Sequence, residues 1–206
     1  MSAYAVAMAF VEAAAVVYLR SLLGTDFPST PLGTYEMIEI QREAATLVML
    51  AALGWLAGHN WQARLSYFLY TFGVWDIGYY VWLKVLIDWP ESFLASDVLF
   101  LIPVRWSGPV LAPVMIAAWL CLTAVVTLVL SVSGRRLARS LPGRGVVILG
   151  GLLALYTFTS DALHARFAGL PDWNFLPPGQ FNWPLFLCAF SMMALPSIMI
   201  PLKSRQ

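Results

Sequence analysis

Charge is scarce in this sequence. Only 11% of its 206 residues are Asp, Glu, Lys or Arg, about half of what a water-soluble domain carries to keep its surface solvated. With 60% of the residues apolar, too little polar surface remains to cover a globule in water, so lipid is the expected solvent for most of the outside. Histidine is nearly missing. His59 and His164 are the only two, which leaves no bis-histidine haem site. The two cysteines, Cys121 and Cys188, lie inside apolar runs, where a thiol packs as a small hydrophobe, and no CxxC or disulfide framework exists. A net charge of +1 without a basic stripe gives nucleic acid nothing to bind. A Walker loop, HExxH and GxSxG are absent too. No Lys or Arg precedes the first apolar run and Glu12 interrupts it, so that run is expected to be a retained span rather than a signal peptide.

What is present is a series of apolar windows. A span needs about 20 apolar residues to cross roughly 30 Å of hydrocarbon. The windows predict an all-α integral membrane protein, a single domain over 1–206, with about six transmembrane helices in one bundle. The spans fall at roughly 3–23, 35–58, 63–87, 108–132, 146–166 and 183–202. Between the third and fourth, Ser96 or Asp97 is placed to cap a short apolar piece near 97–103 that Pro103 stops. That piece is too short to cross and is expected to be interfacial or re-entrant. The two halves share no motif, so an inverted-repeat transporter is not indicated.

Basic residues orient the spans. Arg135, Arg136, Arg139 and Arg144 share one loop, Lys203 and Arg205 lie in the tail, and Arg64 follows a short connection. Six spans with both termini inside put all seven on the cytoplasmic side, and the inner membrane of a bacterium is the expected location. The opposite side carries the longer connections. One of them, PDWNFLPPGQFNWP at 171–184, is stiffened by four prolines and reads as a rigid roof. Asn182 is placed to cap the last helix just before Trp183 and Pro184.

Ionisable groups inside a bilayer cost a few kcal/mol each even on the milder insertion scales (about 2.5–3.5), and they face the bundle interior. At about 1.5 Å per residue from the inner boundary, Glu12 lies near 14 Å, Asp76 near 18 Å, Arg42 and Glu43 near 20 Å, Asp161 near 22 Å, and Glu39 and His164 near 26 Å. Four helices thus place acids in one slab of the outer half, and a common polar site is expected. Glu36, Glu39 and Glu43 share a face at i, i+3, i+7, and Asp76 shares one with Tyr79 and Tyr80, beside Trp75 in an aromatic-rich helix.

Three chemistries fit such a slab. Buried carboxyls hold protons at neutral pH, which suits acid–base work on a lipid or isoprenoid of the isomerase or cyclase type, with Asp76, Asp161, Glu43 and Glu12 as candidate catalytic groups. Aromatic faces such as those of Trp75, Tyr79 and Tyr80 stabilise cations. With His164, Arg42, Glu39, Asn182 and Trp183, these rings complete the candidate ligand-binding set. Asp161-x-x-His164 has the spacing of bundle metal sites, a weak candidate because no second pair exists. Ion or proton movement is the third, although no polar residue bridges the inner third. Alternatively the charges are purely structural, and the chain is an accessory subunit of a larger membrane complex. The expected partners are the bilayer, a hydrophobic small molecule or another membrane protein. No particular cofactor is indicated.

Overall fold

The computed structural model describes residues 1–23, 34–102, 104–133, 135–137, 141–170, 180–198 and 202–204. Among them the chain is helical, with six helices: α1 (Ser2–Leu23), α2 (Thr34–Ala57), α3 (Trp61–Ile87), α4 (Leu111–Val132), α5 (Leu141–Phe167) and α6 (Trp183–Ile198). Three of these contain stretches long and apolar enough to cross a membrane, Ser2–Leu22, Leu111–Val132 and Pro142–Phe167. Helices α2 and α3 are as long, at 24 and 27 residues. They fall short in apolarity because α2 carries Glu36, Glu39, Arg42 and Glu43 and α3 is rich in Tyr and Trp around Asp76. The described part of α6 has 16 residues, about 24 Å at 1.5 Å per residue.

Two features depart from the sequence-based expectation. The piece near 97–103 does not begin a capped helix. It is extended: β1 (Ser96–Phe100) pairs antiparallel with β2 (Trp106–Pro109), with an irregularity between Val98 and Phe100. Its β-branched and aromatic residues favour a pleated strand over one helical turn. The fourth helix consequently starts at Leu111 rather than near 108, because Gly108 and Pro109 belong to the hairpin. A second short pair, β3 (Arg135–Leu137) with β4 (Leu202–Ser204), joins the loop after α4 to the C-terminal tail. The expected roof at 171–184 lies largely outside the described residues.

Small residues decide how the helices pack. Helix α1 buries Ala5, Ala9 and Ala13, and a Cβ on Gly78 of α3 would lie 2.9 Å from the Ala9 Cβ. Backbones approach closely where such residues meet. Gly73 does the same for α3 against α4, and Gly150 for α5 against α6. Helix α3 starts where the Asn60 Oδ1 accepts from Ala63 N at 2.9 Å. It ends at Asp88, which adopts the left-handed conformation (φ 54°) and returns its N–H to the Lys84 carbonyl.

A line of ring contacts fixes the hairpin between the two groups of helices. Trp75 of α3 meets Phe100 of β1, which meets Trp106 of β2, which stacks on Phe158 of α5 at 6.4 Å. Phe158 in turn packs on Phe181 and Phe186 at the start of α6.

Candidate functional site

On α2, Glu39, Glu43, Thr46, Leu50 and Gly54 are the buried positions, a helical stripe at i, i+4, i+7, i+11 and i+15. This stripe faces Glu12 of α1. Arg42 lies beside it and its guanidinium serves two acids. Its NH1 donates to Glu12 Oε1, while Nε donates to Glu39 Oε2 at 2.8 Å and NH2 reaches the same oxygen. Thr46 Oγ1 donates to the other Glu12 oxygen at 3.4 Å. A planar guanidinium suits this bridging role, since its donors are spread in a fork.

Glu43, one residue on, makes no ion pair among the described residues. Its two carboxylate oxygens accept the Leu101 backbone N–H at 3.0 and 3.2 Å. Leu101 follows β1 and is buried at 8% exposure, so the glutamate satisfies a donor that the hairpin ladder leaves over. An unmet buried N–H costs about 1–3 kcal/mol. Glu43→Ala is expected to lower stability by about that amount, while Glu43→Gln, which keeps an oxygen at the same reach, loses less. Thermal midpoints of the two detergent-purified variants check this ordering, and equal midpoints would remove the hydrogen bond from the account.

The hairpin contributes an acid of its own. Asp97 is 5% exposed, with Oδ1 3.9 Å from the Arg20 guanidinium, which also lies over the Trp89 ring at 4.1 Å. Burial pushes the Asp97 carboxyl up to about 6, against the pull of Arg20, the Val98 N–H and the Tyr80 hydroxyl beside it. Its Oδ2 has no hydrogen-bond partner among the described residues. Arg105, between the strands, is 4% exposed; burial lowers its pKa and the nearby Asp161 of α5 opposes that.

These groups surround a semi-enclosed cavity of about 70 Å³, room for on the order of five waters at roughly 10–15 Å³ each. Helix α1 supplies Glu12 and Val16, α2 supplies Glu39, Arg42 and Glu43, α3 supplies Trp75, Asp76, Tyr79 and Tyr80, and the hairpin region supplies Asp97, Leu101 and Arg105. Asp76 is half-buried and makes no hydrogen bond or ion pair among the described residues. Trp75, 5% exposed, leaves its indole N–H without an acceptor there.

Of the residues singled out from sequence, Glu12, Glu39, Arg42, Glu43, Trp75, Asp76, Tyr79 and Tyr80 come together here. Four others do not line the cavity. Asp161 interacts electrostatically with Arg105. His164 is exposed, 3.5 Å from the Tyr156 hydroxyl. Asn182 caps α6 by accepting from Leu185 N at 3.0 Å, and Trp183 packs on Phe181 and Phe186. Of the pair considered as metal ligands, Asp161 thus interacts with Arg105 and His164 with the Tyr156 hydroxyl. Among the described residues no three His, Cys, Asp or Glu side chains gather to hold a metal ion. Lys84 pairs with Asp88 at 2.8 Å at the exposed end of α3 rather than with an acid of the cavity, and holds that carboxyl below its usual range.

Asp97, Arg105 and the Leu101 N–H were not among the site residues expected from sequence. The available signal was one acid and one base flanking the apolar run Val98 to Ile102. It becomes meaningful only once that run folds back as a hairpin. No protein-family model, curated protein or solved structure matches the chain.

Proposed function

We propose that this is a polytopic membrane protein whose six helices all cross the bilayer, with both termini on the cytoplasmic side of an inner membrane. The cavity lined by α1, α2, α3 and the hairpin, in the outer half, binds the polar group of a membrane-resident ligand. Beyond the three most apolar helices, α2 exposes Val48, Trp55 and Leu56, α3 exposes Val81 and Val85, and α6 exposes Leu187 and Leu195. In water each such side chain would forgo about 25 cal/mol per Å² of burial; in lipid that loss disappears.

The observation that carries the binding reading is Asp76. Every other acid of the cavity has a partner: Glu12 and Glu39 have Arg42, Glu43 has the Leu101 N–H, and Asp97 has Arg20. Asp76 lines the cavity and, among the described residues, makes no hydrogen bond or ion pair. Structural charges come in satisfied sets, so an unsatisfied one in a cavity is the feature a binding site needs. The small volume fits a head group, with the apolar remainder of the ligand outside among lipid.

Native mass spectrometry of the chain extracted from its own membrane in mild detergent tests this. A stoichiometric small-molecule adduct is expected on the wild type and none on Asp76→Asn, whose thermal midpoint stays within a few degrees. The accessory-subunit reading draws support from the paired acids around Arg42. A protein partner held equally by wild type and variant, with no small molecule, would replace the binding reading with that one.

A further inference from the structure

Resting on the ligand-binding reading, we propose that the group received by this cavity is a primary ammonium, with Asp76 as its counter-ion. Charge balance is the first reason. Five carboxyls line the cavity, Glu12, Glu39, Glu43, Asp76 and Asp97, against two guanidiniums, Arg42 and Arg105, with Arg20 beside Asp97 as a third. Arg105 is also shared with Asp161, and Arg42 is fully engaged by Glu12 and Glu39. A ligand that brings positive charge lowers the electrostatic cost of this arrangement, and an anion raises it.

Unused hydrogen-bonding capacity is the second, independent reason. Asp97 is 5% exposed and its Oδ2 lacks a partner, while Asp76 has none at all among the described residues. Both are acceptors and both line the same space. An ammonium has three donors and no acceptor, so it meets this need where a neutral alcohol, with one donor, leaves an acceptor over.

The walls match as well. Trp75, Tyr79 and Tyr80 border the cavity, and aromatic faces attract an organic cation. A bare divalent cation instead requires several ligands converging at about 2–2.6 Å, and no such gathering exists among the described residues. The Trp75 indole N–H, still without an acceptor, suits a ligand carrying an oxygen near the ammonium, as an amino alcohol or its phosphoester does. The source is either the head group of an ethanolamine lipid or a free amine.

The full chain is reconstituted in bilayer discs of phosphatidylcholine and phosphatidylglycerol, which contain no primary amine. Thermal midpoints are then read in three arms: with phosphatidylethanolamine mixed into the disc, with added octylamine, and with octanol as the neutral control of equal chain length. At about a hundredfold excess over Kd, a saturable rise of roughly 5 °C is expected from an amine and none from octanol. The lipid arm alone responding assigns the head group, and octylamine responding assigns a free amine. Asp76→Asn is expected to abolish the rise and Asp76→Glu to keep part of it. The comparison of octylamine with octanol is made on the wild type and holds whatever the variants do. An equal rise with octanol, or no rise with either amine while the native adduct is still lost in Asp76→Asn, overturns the ammonium and leaves ligand binding standing. No rise and no adduct remove both.

Discussion

Arg42→Met is expected to lower the stability of the chain by about 3–5 kcal/mol, the cost of breaking a buried ion pair by removing one partner. Total stabilities of about 5–15 kcal/mol make this a large fraction. The variant should appear as reduced monodisperse protein on size-exclusion chromatography in detergent. The reason is local. Glu12 and Glu39 are 9% and 7% exposed, and both take their positive partner from the same guanidinium. Removing it leaves two carboxylates facing each other without compensation. The combined replacement Glu12→Gln, Glu39→Gln, Arg42→Met removes the charges together and is expected to recover most of the loss, because neutral groups of similar shape carry no unpaired charge. Arg42→Lys is expected to recover less, since a single ammonium is a point charge rather than a fork. A wild-type midpoint for Arg42→Met alone would mean that the bridge carries no stability.

Gly73→Ala is the second large effect, and it comes from volume rather than charge. A Cβ at this position would lie 2.6 Å from the Ala117 carbonyl oxygen and 2.6 Å from the Cys121 Sγ. The first is backbone of α4 and cannot rotate away, so α3 and α4 must separate along their shared face. Overpacking of this kind costs about 1–3 kcal/mol, and Gly73→Leu more. Adding Cys121→Ala removes one of the two obstacles and is expected to restore part of the midpoint. Gly151→Ala serves as the control, because its nearest neighbour would be the Met193 Sδ at 4.0 Å. Equal midpoints for the alanines at 73 and 151 would show that α3 and α4 do not pack this closely.

The helices were legible because apolar windows and their breaks are long-range signals, averaged over some twenty residues. The expected spans 3–23, 35–58 and 63–87 differ from α1, α2 and α3 by no more than two residues at either end. That Glu12, Arg42, Glu43 and Asp76 line one cavity was legible in part, since depth along a helix is arithmetic, although the same arithmetic also put Asp161 there. The hairpin was not. Five apolar residues after Asp97 fit a helical turn, a strand or a loop equally well by periodicity. What decides among them is the partner strand Trp106–Pro109 and the Glu43 carboxylate that receives the Leu101 N–H. Asp161 and His164 illustrate a second limit. Helical spacing puts two residues near one face but does not say what other elements bring to it, and the hairpin region brings Arg105 to interact with Asp161.

The Arg42 bridge has a consequence for the order of synthesis. Its three members come from α1 and α2 alone, so they can meet as soon as the first two helices have left the ribosome. The early chain can therefore wait with those charges already neutralised against one another. Glu43 and Asp97 cannot be settled until residues 96–109 have been added. Assembly is thus expected to proceed from a self-sufficient amino-terminal pair to a cavity completed only when the hairpin arrives, and a ribosome stalled before residue 101 would hold a nascent chain whose Glu43 still lacks its donor.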